Sequence, residues 1–176
     1  MEPAKILVVD DERSILVLLK EALGQWGYLV TTAASAAEAL GILKSELFDA
    51  LITDIRMPDM SGLELLREVK KQDESIEVVM MTGYPTIASA VQALKEGAYD
   101  YLSKPLILDE LRHLMSRMME RKFLRGEIHT LRARLGEDLR TGLGIRVTVE
   151  TVEPGALPRW DHKARRVKDE RTEVPF

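Results

Sequence analysis

The first 122 residues predict an α/β fold, a five-stranded parallel sheet doubly wound by helices, and three observations carry that reading. Five short apolar runs alternate along the chain with five segments of helical periodicity. The central runs, ILVV and ALIT among them, are nearly continuous in apolar residues, as strands buried on both faces require. Finally, the runs end in acids, a hydroxyl or a lysine, and the carboxyl edge of such a sheet is where these folds place their sites.

In order, Lys5–Val9 reads as the first strand, and Ser14–Trp26 follows as a helix with Ile15, Leu18, Leu19, Ala22 and Leu23 on one face. Gly27 breaks that helix, and Tyr28–Thr32 is the second strand. Ser35 is placed to cap a helix over Ala36–Glu46, with Glu38 completing a capping box. Leu47–Thr53 is the third strand, and MPDMSG a turn punctuated by Pro58 and Gly62. Leu63–Lys71 carries Leu63, Leu66 and Val69 on one face of the next helix. Glu77–Thr82 is the fourth strand, Thr86–Glu96 a helix closed by Gly97, and Asp100–Ser103 the fifth strand. From Leu108 the chain is helical to Gly136, where the helix is expected to end.

Composition narrows the function classes. With no cysteine there is no disulfide, thiolate nucleophile or zinc–thiolate site. No apolar run approaches the ~20 residues that span a bilayer, and the N-terminus lacks the basic-then-apolar pattern of a signal peptide. The expected setting is therefore the cytoplasm, with no membrane partner. Residues 1–122 hold 14 Lys/Arg against 20 Asp/Glu, a balance of −6, while residues 123–176 hold 11 against 9, or +2. An acidic body argues against direct nucleic-acid binding, which needs dense cationic surface.

The expected pocket collects Asp10, Asp11, Asp54, Thr82 and Lys104. Carboxylates at close range repel one another, and a hard divalent cation relieves that repulsion. Mg²⁺ suits, because it takes oxygen ligands and keeps waters and phosphoryl oxygens among them. A lysine and a threonine hydroxyl beside the metal fit a charge-rich phosphoryl group in transit. A carboxylate not engaged by metal can act as nucleophile and form an acyl phosphate. A phosphatase with an aspartyl nucleophile would need an acid two residues beyond it, which neither Asp10–Asp11–Glu12 nor Asp54–Ile55–Arg56 supplies.

This pattern (DD, then D followed by MPDMSG, then T, then KP) resembles the receiver domain of bacterial two-component response regulators over about residues 4–122. The stretch MTGYPTIASAVQALKEGAYDYLSKP is most similar to receivers of nitrogen-regulatory-type activators. The resemblance implies a flavodoxin-like strand order 2-1-3-4-5, Asp54 as the phosphorylated residue, and Asp10 and Asp11 as the acidic Mg²⁺ pair. It further implies Asp54 and the backbone carbonyl of Arg56 as metal ligands, Thr82 and Lys104 as phosphoryl-binding residues, Tyr101 as a switch aromatic, and a cis peptide bond at Pro105. The implied partner is a sensor histidine kinase or phosphotransfer protein, and the chain itself would not be an enzyme.

Beyond residue 122 the reading divides. Leu111, Leu114 and Met118 are followed by Leu124, Ile128, Leu131 and Leu135 at coiled-coil-like spacing. This seam either forms a homodimer through the last helix and its extension, residues 123–136, or packs against the C-terminal tail. In the tail, residues 137–176, Ile145, Val147, Val149 and Thr151 alternate with polar residues as a strand does. No P-loop motif is present, so the ATPase output of nitrogen-regulatory activators is not expected here. The tail instead resembles the end of phenylacetate–CoA ligases, in the strand GIRVTVETV, the turn EPGALPR and a closing KARRVKDER. That resemblance implies a role near an acyl phosphate for Lys163, with His162 standing where the family has glycine. The alternative function it opens is a CoA-ligase-type regulatory fragment, with the receiver controlling association with an acyl-activating partner.

Overall fold

The computed structural model describes residues 3–143. Five strands and five helices alternate: β1 (Lys5–Val9), α1 (Arg13–Gln25), β2 (Leu29–Ala33), α2 (Ala36–Leu43), β3 (Ala50–Asp54), α3 (Gly62–Gln72), β4 (Glu77–Thr82), α4 (Ile87–Lys95), β5 (Asp100–Ser103) and α5 (Leu108–Leu143). The strands are parallel and lie in the order β2-β1-β3-β4-β5. The predicted fold class and strand order are both observed.

Each face of the sheet is covered, which is why the central strands have no polar alternation. On one side Leu7, Val9, Leu51, Val78 and Met80 pack with residues of α2 and α3, notably Ala39, Leu65, Leu66 and Val69. On the other, Ile6, Val8, Ile52, Val79 and Met81 meet Leu19 and Leu23 of α1 and Leu111, Met115 and Met118 of α5. Alternate residues of one strand thus serve opposite cores. Met57, Met80 and Met81 are core side chains, and Met60 packs at the margin.

Several boundaries differ from the expectation, each for a local reason. Leu47 is 83% exposed and precedes β3, because Phe48 alone of that pair turns into the core. Ser35 caps α2 through Glu38 N–H, but the Glu38 carboxylate takes the amide of Ala34 rather than that of Ser35. The reciprocal capping boxes are instead Ser61 with Glu64 at α3 and Thr86 with Ser89 at α4, so Thr86 caps its helix from outside. Gly27 and Gly97 adopt φ of +90° and +97° just past α1 and α4, conformations that favour glycine. Gly136 does not end the last helix, which continues to Leu143.

The chain divides into two units, Met1–Gly126 and Glu127–Phe176, and the first holds the sheet. The expected tail strand, the EPGALPR turn and Lys163 lie outside the described residues. No helix among the described residues is long and apolar enough to cross a membrane.

Candidate functional site

Topology gathers the predicted residues. In the order β2-β1-β3 the connections from β1 and β3 leave in opposite directions, opening a crevice at their carboxyl ends. Asp10 follows β1, Asp54 ends β3, Thr82 ends β4 and Lys104 follows β5. Asp10, Asp54 and Thr82 are buried, at 0%, 5% and 2% exposure.

Lys104 joins the two buried acids. Its Nζ stands 2.8 Å from Asp10 Oδ2 and 3.0 Å from Asp54 Oδ1, with Glu12 Oε1 at 3.2 Å on the solvent side. The other carboxylate oxygens are held by backbone amides: Glu12 N–H donates to Asp10 Oδ1 at 2.9 Å, and Arg56 N–H to Asp54 Oδ2 at 2.8 Å. Both side chains are therefore fixed at one oxygen and directed by the other toward the crevice. Asp10 Oδ2 and Asp54 Oδ1 lie at ion-pair distance from the ammonium but have no aligned hydrogen-bond donor. They are the oxygens available to a stronger cation.

The electrostatics follow burial and pairing. Burial drives the Asp10 carboxyl above the usual range, and the Lys104 ammonium opposes it only in part. At Lys104 burial works against the charge, yet Asp10 and Asp54 outweigh it and hold the ammonium above the ordinary lysine value. Lys104 is thus protonated at any physiological pH. Its peptide bond to Pro105 is cis, and its backbone N–H donates to Thr82 O at 2.7 Å, aligning the ends of β4 and β5.

Two features of the pocket go beyond the expectation. Asp11 is exposed, while Asp10 is buried. Glu12 was not anticipated, and it takes the third position around Lys104. Among the described residues no three acid or histidine side chains cluster closely enough to hold a metal by themselves. That suits Mg²⁺, which binds through one or two carboxylates and retains waters. The oxygens of Asp10 and Asp54 that face Lys104 fit such an ion.

The surroundings add residues that the sequence did not announce. The Arg56 guanidinium lies over the Tyr84 ring, 4.4 Å from its centroid. Tyr84 N–H donates to Thr82 Oγ1 at 3.1 Å, so the threonine hydroxyl is engaged by its own loop. The Tyr101 hydroxyl lies 2.8 Å from Ser89 Oγ in α4. The Arg56–Tyr84 and Tyr101–Ser89 contacts join separate elements, and no local pattern encodes them.

Comparisons with known proteins agree with this architecture. The family model for the response regulator receiver domain matches residues 6–116. The transcriptional regulatory protein ZraR of Klebsiella oxytoca is 44% identical over 115 residues, covering 65% of this chain and 26% of its own. The DNA-binding transcriptional regulator NtrC of Proteus hauseri is 41% identical over 117 residues, 66% of this chain and 25% of its own. A solved receiver domain protein from Clostridium thermocellum superposes with a TM-score of 0.65 at 41% identity, covering 69% of this chain and 98% of that one. The chain spans about a quarter of the length of these curated relatives.

A second family model, the AMP-binding enzyme C-terminal domain, matches residues 87–171, less than half of the chain. The first part of that match covers α4, β5 and the start of α5, which here complete the receiver sheet and its second core. It therefore does not favour reading the chain as a ligase fragment.

Proposed function

The chain belongs to the response regulator receiver family, and from that premise we propose that it is a phosphoacceptor switch, phosphorylated on Asp54 with Mg²⁺ by a sensor histidine kinase or phosphotransfer protein. The observation that carries the proposal is Asp54 Oδ1: a buried carboxylate oxygen at the sheet edge, lacking an aligned donor and facing a lysine at 3.0 Å.

Asp54 is the nucleophile. Its Oδ1 forms the new bond to phosphorus as the bond from phosphorus to the donor's imidazole nitrogen breaks. The amide of Arg56 holds Oδ2 and fixes the carboxylate plane for in-line approach. Asp10, Asp11 and Asp54, with the Arg56 carbonyl, would hold Mg²⁺, which would supply charge neutralisation at the phosphoryl oxygens. Lys104 follows the new charge, exchanging its contact with Asp54 for a phosphoryl oxygen. The Thr82 hydroxyl, which accepts from the Tyr84 amide, donates its proton to another. Those contacts exist only in the phosphorylated state, so they bias the Tyr84 loop and α4, and Tyr101 turns with them.

The chain acts through protein contacts rather than catalysis, in the cytoplasm. Leu124, Ile128, Leu131 and Leu135 are each about half exposed along α5, and a homodimer through this helix would cover them. Incubation with acetyl phosphate and Mg²⁺ followed by intact mass measurement tests the assignment. One added phosphoryl group is expected, dependent on Mg²⁺ and lost in Asp54→Asn. Undiminished labelling of that variant would remove Asp54 as acceptor.

A further inference from the structure

A hydroxyl relay links Tyr101 to the first turn of α4, and Ser89 is its centre. Ser89 Oγ lies 2.8 Å from the Tyr101 hydroxyl, 2.7 Å from Thr86 Oγ1 and 2.9 Å from the Thr86 carbonyl. The amide of Ser89 in turn donates to Thr86 Oγ1 at 3.1 Å, closing the capping box. A serine hydroxyl has one proton and the carbonyl can only accept, so satisfying the carbonyl leaves the Tyr101 phenol as donor to Ser89. The Tyr101 ring packs at the margin of the first core, and its hydroxyl is tied to the α4 cap.

This tie matters because α4 is lightly held. Ala93 is its one buried residue, while Ile87, Val91 and Leu94 are exposed at 87%, 45% and 49%. Where few apolar contacts fix a helix, a single hydrogen bond between its first turn and the sheet carries a large share of its placement. Lys104 Nζ lies 3.0 Å from Asp54 Oδ1 in the same structure, the contact that a phosphoryl group on Asp54 would take over. The Ser89–Tyr101 bond thus stands beside the resting pairing of Lys104.

We propose that Ser89 is a positioning residue that latches Tyr101 and the α4 cap together in the resting state, setting how readily the acceptor site reaches its modified state. The proposal rests on the reading of Tyr101 as the switch residue. Breaking the latch removes one neutral hydrogen bond from the resting state alone, which shifts the balance about three- to tenfold.

The test uses the full chain labelled with 3-fluorotyrosine, with Tyr101 assigned through Tyr101→Phe, and titrated with beryllofluoride in Mg²⁺. Parent, Ser89→Ala, Ser89→Thr, Tyr101→Phe and the double variant Ser89→Ala/Tyr101→Phe are compared. Ser89→Ala is expected to shift the resting Tyr101 fluorine resonance and to raise beryllofluoride affinity about three- to tenfold. Ser89→Thr, which keeps the hydroxyl, should stay with the parent. Tyr101→Phe should match Ser89→Ala in affinity, and the double variant should gain nothing further. Unchanged affinity and resonance in Ser89→Ala, a weaker affinity, or additive effects would each overturn the latch. If the parent's Tyr101 resonance responds to beryllofluoride in those cases, the switch reading stands and only the latch fails. A parent that does not bind, or whose Tyr101 does not respond, overturns both.

Discussion

Gly62→Ala is expected to be among the most damaging single-methyl additions in this fold, and the reason is distance rather than backbone conformation. Gly62 begins α3 and is buried, and its amide donates to Ile55 O at 2.9 Å. A Cβ built there would stand 2.0 Å from Asp54 O, 2.9 Å from Asp54 C and 3.1 Å from Ile55 Cα. All three are backbone atoms, at or just beyond the end of β3, a strand paired with both β1 and β4. No side chain can swing aside, so α3 or the end of β3 must move by about an ångström. Overpacking usually costs about 1–3 kcal/mol, and a rigid backbone neighbour places this case at or above the upper end. For a unit of this size each kcal/mol lowers Tm by roughly 3–5 °C, giving a fall of about 10 °C or more. Gly97→Ala is the control. Its φ of +97° makes any side chain strained, but its Cβ would meet only the flexible Lys70 side chain at 3.6 Å or more. That substitution should cost about 1–2 kcal/mol. Thermal unfolding followed by far-UV circular dichroism ranks the two. A Gly62→Ala midpoint within about 2 °C of the parent, or above that of Gly97→Ala, refutes the close-approach argument.

Two further outcomes follow from the charges. Lys104→Met leaves Asp10 and Asp54 buried without their shared cation, and should lower stability in EDTA by up to about 3 kcal/mol. Added Mg²⁺ should then raise Tm more in the variant than in the parent, and a smaller increment would argue against a metal at these oxygens. Asp59 Oδ2 accepts from Ala37 N–H at 2.9 Å, tying the turn before α3 to α2, and that bond holds its carboxyl below the ordinary 3.8. A depressed folded pKa contributes stability above the unfolded value that is lost as pH falls through the folded one. The Tm difference between parent and Asp59→Ala should therefore be present at pH 6 and shrink as pH falls below the ordinary 3.8, and a pH-independent difference would exclude the carboxylate as its source.

How far the site was legible depended on whether a rule of regular structure applied. Strand ends carrying Asp54, Thr82 and Lys104 were readable because a parallel sheet sends its strand ends to one edge. Burial separates Asp10 from the exposed Asp11 just beyond β1. Glu12, two residues past Asp10, shares its Lys104 partner and had no signal in the DD pattern. By contrast, the stacking of Arg56 on Tyr84 and the bond from Tyr101 to Ser89 join separate elements. Ser89 had a partial signal, as the third residue after a capping threonine, but serine there departs from the usual Glu or Gln. Gly62 was legible as a turn residue. Its proximity to Asp54 O arises only once α3 packs against β3.

The last helix shows why a glycine and a periodic stripe are weaker signals than they look. Gly27 and Gly97 end helices because each adopts a left-handed φ just beyond the last turn. Gly126 and Gly136 are the same residue type inside α5, where a glycine costs about 1 kcal/mol relative to alanine and the flanking residues absorb it. The EDLR that follows Gly136 is compatible with continued helix and contains no breaker, so a stop there had no physical cause. The apolar stripe, read as one seam, has two halves with different partners. Leu111, Leu114, Met115 and Met118 are buried against the sheet, filling the core beside Leu19 and Leu23. Leu124, Ile128, Leu131 and Leu135 keep the helical spacing but remain about half exposed. Periodicity states that one face of a helix is apolar; the sheet explains that face only as far as Met118. The second half needs another surface, and the dimer proposed above would supply one.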